Sequence, residues 1–62
     1  MTAREVIKVL ELNGWYEVRQ SGSHKIFKHP ENPYNVSVPV HGGKDIPKGT
    51  LNGILKTAGI KI

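Results

Sequence analysis

The chain lacks cysteine altogether. Neither a disulfide nor a cysteine-ligated zinc site can reinforce it, and the absence fits a cytoplasmic location. Long apolar runs are missing too. Nothing approaches the roughly 18 residues of a membrane-spanning helix, so no membrane partner is expected. The start of the chain holds Glu5 and Glu11 and no continuous apolar block, which speaks against a secretory signal. Length is also in short supply. The 62 residues suffice for one domain, expected to span the whole chain. A domain of this size buries only about 60% of the surface its unfolded chain exposes. Its core supplies no more than about 3–5 kcal/mol unless a partner or a second copy adds to it.

Acidic residues are few. Five Asp and Glu stand against nine Lys and Arg, for a net charge of +4. On so small a body this favours an anionic partner: nucleic acid, an acidic protein or acidic lipid. The shortage is local as well as global. From Arg19 to Pro30 the sequence reads R-Q-S-G-S-H-K-I-F-K-H-P, with no acid at all. That stretch carries Arg19, Lys25 and Lys28, together with His24 and His29.

What is present organises itself around that stretch. Met1 to Gly14 has the pattern of an amphipathic helix. Thr2 and Glu5 have capping-box spacing, Met1 and Val6 sit at staple positions, and Ala3, Val6, Ile7, Val9 and Leu10 form an apolar face. Asn13-Gly14 is the stop. Trp15 to Gln20 reads as a first strand. Strict alternation puts Tyr16, Val18 and Gln20 on one face and Trp15, Glu17 and Arg19 on the other. Val18 is the expected inward residue, and Trp15 is expected to pack at the helix–strand corner. Ser21-Gly22 marks a turn, and Ser23 to His29 a second strand, antiparallel to the first. Phe27 is assigned to the core because it brings the most apolar area, which leaves His24 on the opposite face.

His29 to Tyr34 is expected as a loop held by Pro30 and Pro33. Asn35 to Val40 follows as a third strand, which Pro39 marks as an edge strand or as one already ending. His41-Gly42-Gly43-Lys44-Asp45 is a connection whose paired glycines either cradle an anion or simply join strand to helix. Pro47 to Ala58 reads as a second helix with Leu51, Ile54, Leu55 and Ala58 as its buried stripe, stopped by Gly59. Ile60-Lys61-Ile62 is a short tail placed to fold back on the sheet. The order is α-β-β-β-α. It predicts an α+β fold of the double-stranded-RNA-binding-domain type, with a three-stranded antiparallel sheet, two helices on one face and the other face open. Topology alone carries little about function.

Several pieces of the sequence match a known family together. They are Asn13-Gly14-Trp15, Val18-Arg19-Gln20, Gly22-Ser23-His24 with Phe27 three residues on, Val38-Pro39-Val40-His41, Pro47-Lys48-Gly49-Thr50-Leu51, Ile54-Leu55 and Ala58-Gly59-Ile60. Over essentially its whole length the chain resembles the HicA family of bacterial and archaeal toxins. The resemblance implies a small endoribonuclease that cleaves mRNA, arrests growth and is neutralised in a hetero-oligomer by a HicB antitoxin. It implies no metal or other cofactor, and it places the catalytic histidine of the G-S-H element at His24.

The residues support that chemistry on their own terms. RNA carries its own nucleophile in the 2′-hydroxyl. A ribonuclease needs a base for that proton, an acid for the leaving 5′-oxygen and a cation for the crowded phosphate. Imidazole titrates near neutrality and serves as either acid or base. Arg19, Lys25 and Lys28 are the nearby cations. Ser23 either donates to a phosphate oxygen or closes the turn. His41 is placed as a second acid/base or as a phosphate donor, with Lys44 beside it, and His29 as acid/base or as a loop cap. A lone surface histidine is usually inert, so the G-S-H match is what singles out His24. The three histidines lack metal-motif spacing and no acidic cluster accompanies them, so no zinc or magnesium site is expected. A non-catalytic RNA-binding module using the same basic face is the alternative, and a domain that docks an acidic protein is a third.

Overall fold

A computed structural model describes residues 1–61. Its elements run α1 (Ala3–Leu12), β1 (Tyr16–Ser21), β2 (His24–His29), β3 (Asn32–Pro39) and α2 (Lys48–Ala58). The three strands form one antiparallel sheet in the order β1-β2-β3. The expected α-β-β-β-α architecture is therefore the one the chain adopts.

Local signals account for the helix ends. The Thr2 amide donates to Glu5 Oε1 at 2.8 Å, and the Glu5 amide donates to Thr2 Oγ1 at 3.3 Å. This closes a capping box at the first turn of α1. The Thr2 amide, and then its hydroxyl, hold the Glu5 carboxyl below its ordinary pKa. At the other end Gly14 takes a φ of +90°, and the amide of Trp15 returns to the Leu10 carbonyl at 3.0 Å. Helix α1 is shorter than the expected Met1–Gly14. Met1 and Thr2 are diverted into an extended contact, where the Ile46 amide donates to the Met1 carbonyl at 2.8 Å. In α2, Pro47 stands at the N-cap, and Gly59, with φ +70°, ends the helix.

The core is built from Ala3, Val6 and Leu10 of α1, Trp15, Phe27 of β2, Val36 and Val38 of β3, Ile46, and Ile54 of α2. Trp15 and Phe27 take their expected places. Leu51 and Ala58 flank the core, as does Ile60, so the beginning of the tail does pack back. Ile62 lies outside the described residues.

Two expectations are corrected. Val18 is not inward: it is 42% exposed. The β1–β2 register steps from Glu17↔Phe27 to Arg19↔Ile26, which leaves Val18 unpaired in a bulge. One extra residue reverses the alternation beyond it. Arg19 thus joins Tyr16 on one face, while Glu17 and Gln20 turn to the side of Phe27.

The second correction concerns the segment expected as a loop. Strand β3 begins at Asn32, directly after a tight turn at Pro30-Glu31. Asn32 anchors that start. Its Oδ1 accepts from the Tyr34 amide at 2.8 Å, and its Nδ2 donates to the Thr57 carbonyl of α2 at 3.3 Å. Pro33 is tolerated because β3 is an edge strand whose register is irregular there. The strand ends at Pro39, as its lost amide predicts.

Candidate functional site

In an antiparallel sheet, residues directly opposite each other point to the same face. Phe27, Val36 and Val38 are buried and define the core side. The opposite face then carries three cross-strand rows: Ser21, His24 and Pro39; Arg19, Ile26 and Ser37; and Tyr16 with Lys28. No carboxylate stands in any of these rows. Arg19, His24 and Lys28 are exposed, Tyr16 is half-exposed, and Ile26 between them is partly exposed.

His24 sits at the lip of the β1–β2 hairpin. Ser21 and His24 face each other across a turn centred on Gly22-Ser23, one residue later than expected. Gly22 has φ +58° and is the only turn residue with positive φ, the pattern of a type II′ hairpin. The Ser23 carbonyl accepts from the Val40 amide at 2.7 Å, which pins the turn to the end of β3. On the third strand, Pro39 opposite His24 is buried. The backbone beneath His24 is therefore held on both sides while its ring stays in solvent. Among the described residues nothing hydrogen-bonds to that ring. It is open to a ligand.

The other expected site residues divide. Arg19 and Lys28 share the open face with His24, and Arg19 does so only because of the Val18 bulge. Lys25 does not. It faces the core side, half-buried, with Nζ 3.3 Å from Glu17 Oε1. Ser23 is exposed in the turn. His41 and Lys44 are exposed in the connection after β3, where the Lys44 amide donates to the His41 carbonyl at 3.3 Å. The bond from Val40 to Ser23 brings the start of that connection to the hairpin lip.

His29, the other histidine of β2, is engaged at both nitrogens. Nδ1 accepts from the Glu31 amide at 3.0 Å, and Nε2 lies 2.9 Å from the Asn13 carbonyl. An amide donor at Nδ1 requires the tautomer with hydrogen on Nε2, which then donates to Asn13. The ring also packs 5.2 Å from the Trp15 ring, tilted by 58°. Of the two roles open to it, His29 caps the loop. Among the described residues no group of three or more His, Cys, Asp or Glu side chains is placed to hold a metal ion.

Sequence reasoning did not put Tyr16 on the His24 face. Strict alternation placed the two apart, and only the register reveals the bulge. The available signal was the lone Val18 between charged Glu17 and Arg19, in a strand with too little apolar content to sit over the core.

Three antiparallel strands backed by two helices define an α-β-β-β-α fold like that of double-stranded-RNA-binding domains, with His24 exposed on the open face of its sheet. Residues 3–60 match the family described as HicA toxin of bacterial toxin-antitoxin, and the chain belongs to that family. Its role is accordingly that of a toxin. Among solved structures it is similar to a chain titled "Toxin-Antitoxin complex from Streptococcus pneumoniae". The two share 33% identity, 97% of this chain and 98% of the other are covered, and the TM-score is 0.80. No curated protein matches the chain. No described helix is long and apolar enough to cross a membrane.

Proposed function

We propose that this toxin is a metal-independent endoribonuclease that cleaves mRNA in the cytoplasm, with His24 as its general acid or base. The observation that carries the reading is the exposed imidazole of His24, unbonded on a face that holds, among the described residues, two cations and no carboxylate. As a base, His24 takes the proton of a ribose 2′-hydroxyl. The freed oxygen then attacks the adjacent phosphorus and the 5′-oxygen leaves. As an acid, it returns a proton to that leaving oxygen. Arg19 and Lys28 stabilise the charge that builds on the phosphate. Ser23, His41 and Lys44 contact the RNA around the lip. Lys25, already paired with Glu17, adds to the attraction of the strand for RNA rather than to a direct contact.

Incubation of the purified protein with RNA in EDTA tests this. Cleavage is expected to persist without divalent ions, and His24→Ala is expected to lower it about 100- to 10,000-fold. Loss of cleavage in EDTA, or full activity in His24→Ala, would refute the assignment. RNA binding that weakens steeply with salt but leads to no cleavage would instead fit a non-catalytic module on the same face.

The partner in this reading is a HicB-type antitoxin that silences the toxin by covering the His24 face. The similarity to a chain from a toxin–antitoxin complex supports such a partner. An acidic antitoxin surface would speed association with the basic face. A structure of the complex that leaves His24 open to solvent would count against this.

A further inference from the structure

The open sheet face holds more than the catalytic candidate. Tyr16 stands directly across from Lys28, half-exposed, and its side chain makes no hydrogen bond among the described residues. Ile26 and Arg19 form the next row, and His24 the row after that. Along β2 the rows are separated by two residues, about 7 Å, so the path from Lys28 to His24 covers about 13 Å. It runs from an aromatic ring beside an ammonium group, past a guanidinium, to an imidazole. Among the described residues no carboxylate interrupts it. The exposed side of α1 is different: there Arg4 and Lys8 are interleaved with Glu5 and Glu11.

We propose that this path is a binding track for single-stranded RNA, with an unpaired base stacked on Tyr16 and the backbone led past Lys28 and Arg19 to His24. The inference rests on the ribonuclease reading above and names the substrate form that the site takes. A tyrosine ring on an open sheet offers a π-face that every base can stack on, whereas bases inside a duplex already have both faces occupied. Cations in the adjacent rows neutralise phosphate. Ile26 supplies an apolar floor between them. The arrangement differs from shape recognition of a duplex, which the fold type would suggest by analogy.

Binding is measured in the His24→Ala background, so that the RNA survives. The probes are a fluorescein-labelled single-stranded oligonucleotide and the same strand annealed to its complement. The single strand is expected to bind more tightly. Tyr16→Ala is expected to weaken single-strand binding about tenfold with the salt dependence unchanged, and Tyr16→Leu to do the same. Tyr16→Phe is expected to bind as the parent does. Lys28→Ala should weaken binding and lower the salt slope by about one.

Tighter binding of the duplex overturns the proposal. So does a folded Tyr16→Ala or Tyr16→Leu protein that binds the single strand as well as the parent. Wild-type cleavage separates this from failure of the ribonuclease reading. A protein that cleaves RNA but ignores Tyr16 refutes the track and leaves the nuclease standing. A protein that needs Tyr16 to bind single strands but never cleaves them does the reverse.

Discussion

The two ends of β2 carry the same side chain in opposite circumstances. His24 opens the strand at the hairpin lip, exposed, with no hydrogen bond to its ring among the described residues. His29 closes it, half-buried, with one nitrogen on the turn that follows and the other on the end of α1. Residue type is therefore a poor guide to role. A ring with both nitrogens occupied by main-chain groups holds structure together, because using it for proton transfer would break those bonds. A ring that nothing claims, over a rigid backbone, is available to a substrate.

The largest expected effect is on catalysis. His24→Ala should lower RNA cleavage about 100- to 10,000-fold while changing unfolding free energy by no more than about 0.5 kcal/mol, since it removes an exposed side chain. Urea denaturation and a cleavage time course on the same sample read both. If His24→Ala also unfolds the protein, the contrast between the ends collapses.

His29→Ala should show the opposite pattern. It leaves the Glu31 amide and the Asn13 carbonyl without their partners and removes a contact with Trp15. Both bonds lie at the surface, where water can take the ring's place, so the expected loss is about 0.5–1.5 kcal/mol of stability, with cleavage per folded molecule retained. Loss of cleavage in fully folded His29→Ala would give this ring a part in the chemistry.

A third variant probes the latch from its other side. Gly14 has φ +90°, and a Cβ there would stand 2.8 Å from His29 Nε2. Gly14→Ala should therefore cost about 1–2 kcal/mol for the backbone alone, with displacement of the imidazole added. Combined with His29→Ala, the total should fall short of the sum, because the clash is then gone. Strict additivity would show that the two residues do not meet.

The smallest effect lies at the far end of α1 and gives the baseline. Hydrogen bonds from Thr2 hold the Glu5 carboxyl below its ordinary pKa. A depressed carboxyl stabilises the fold above its unfolded pKa, and that contribution is lost as pH falls through its folded one. Glu5→Gln should flatten this part of the acid limb in thermal unfolding between about pH 6 and pH 3. An unchanged limb would mean that the capping box does not form in solution.

Much of this was legible in the residues. The capping box, the Gly14 and Gly59 stops, Trp15 and Phe27 in the core, the early end at Pro39 and His24 in solvent all follow from short-range patterns. Tyr16 was read onto the core side with Val18, because the bulge there depends on how β1 pairs with β2 and the strand's low apolar content only hints at it. Lys25 looked like a neighbour of His24 because it is next in sequence, and for that same reason a strand sends it to the other face, toward Glu17. The stretch with Pro30 and Pro33 looked like a loop. Asn32 reaches across to Thr57, 25 residues away, and extends the strand into it.

The amino-acid order settled the order of helices and strands, the stops at Gly14 and Gly59 and which histidine the hairpin exposes. The forces involved act within about four residues, through caps, turns and the pitch of side chains. Only the assembled sheet settled that Tyr16 shares a face with His24 and that His29 is a latch. Those outcomes turn on contacts such as the one between His29 and Asn13, 16 residues apart, and on a register that a single extra residue reverses.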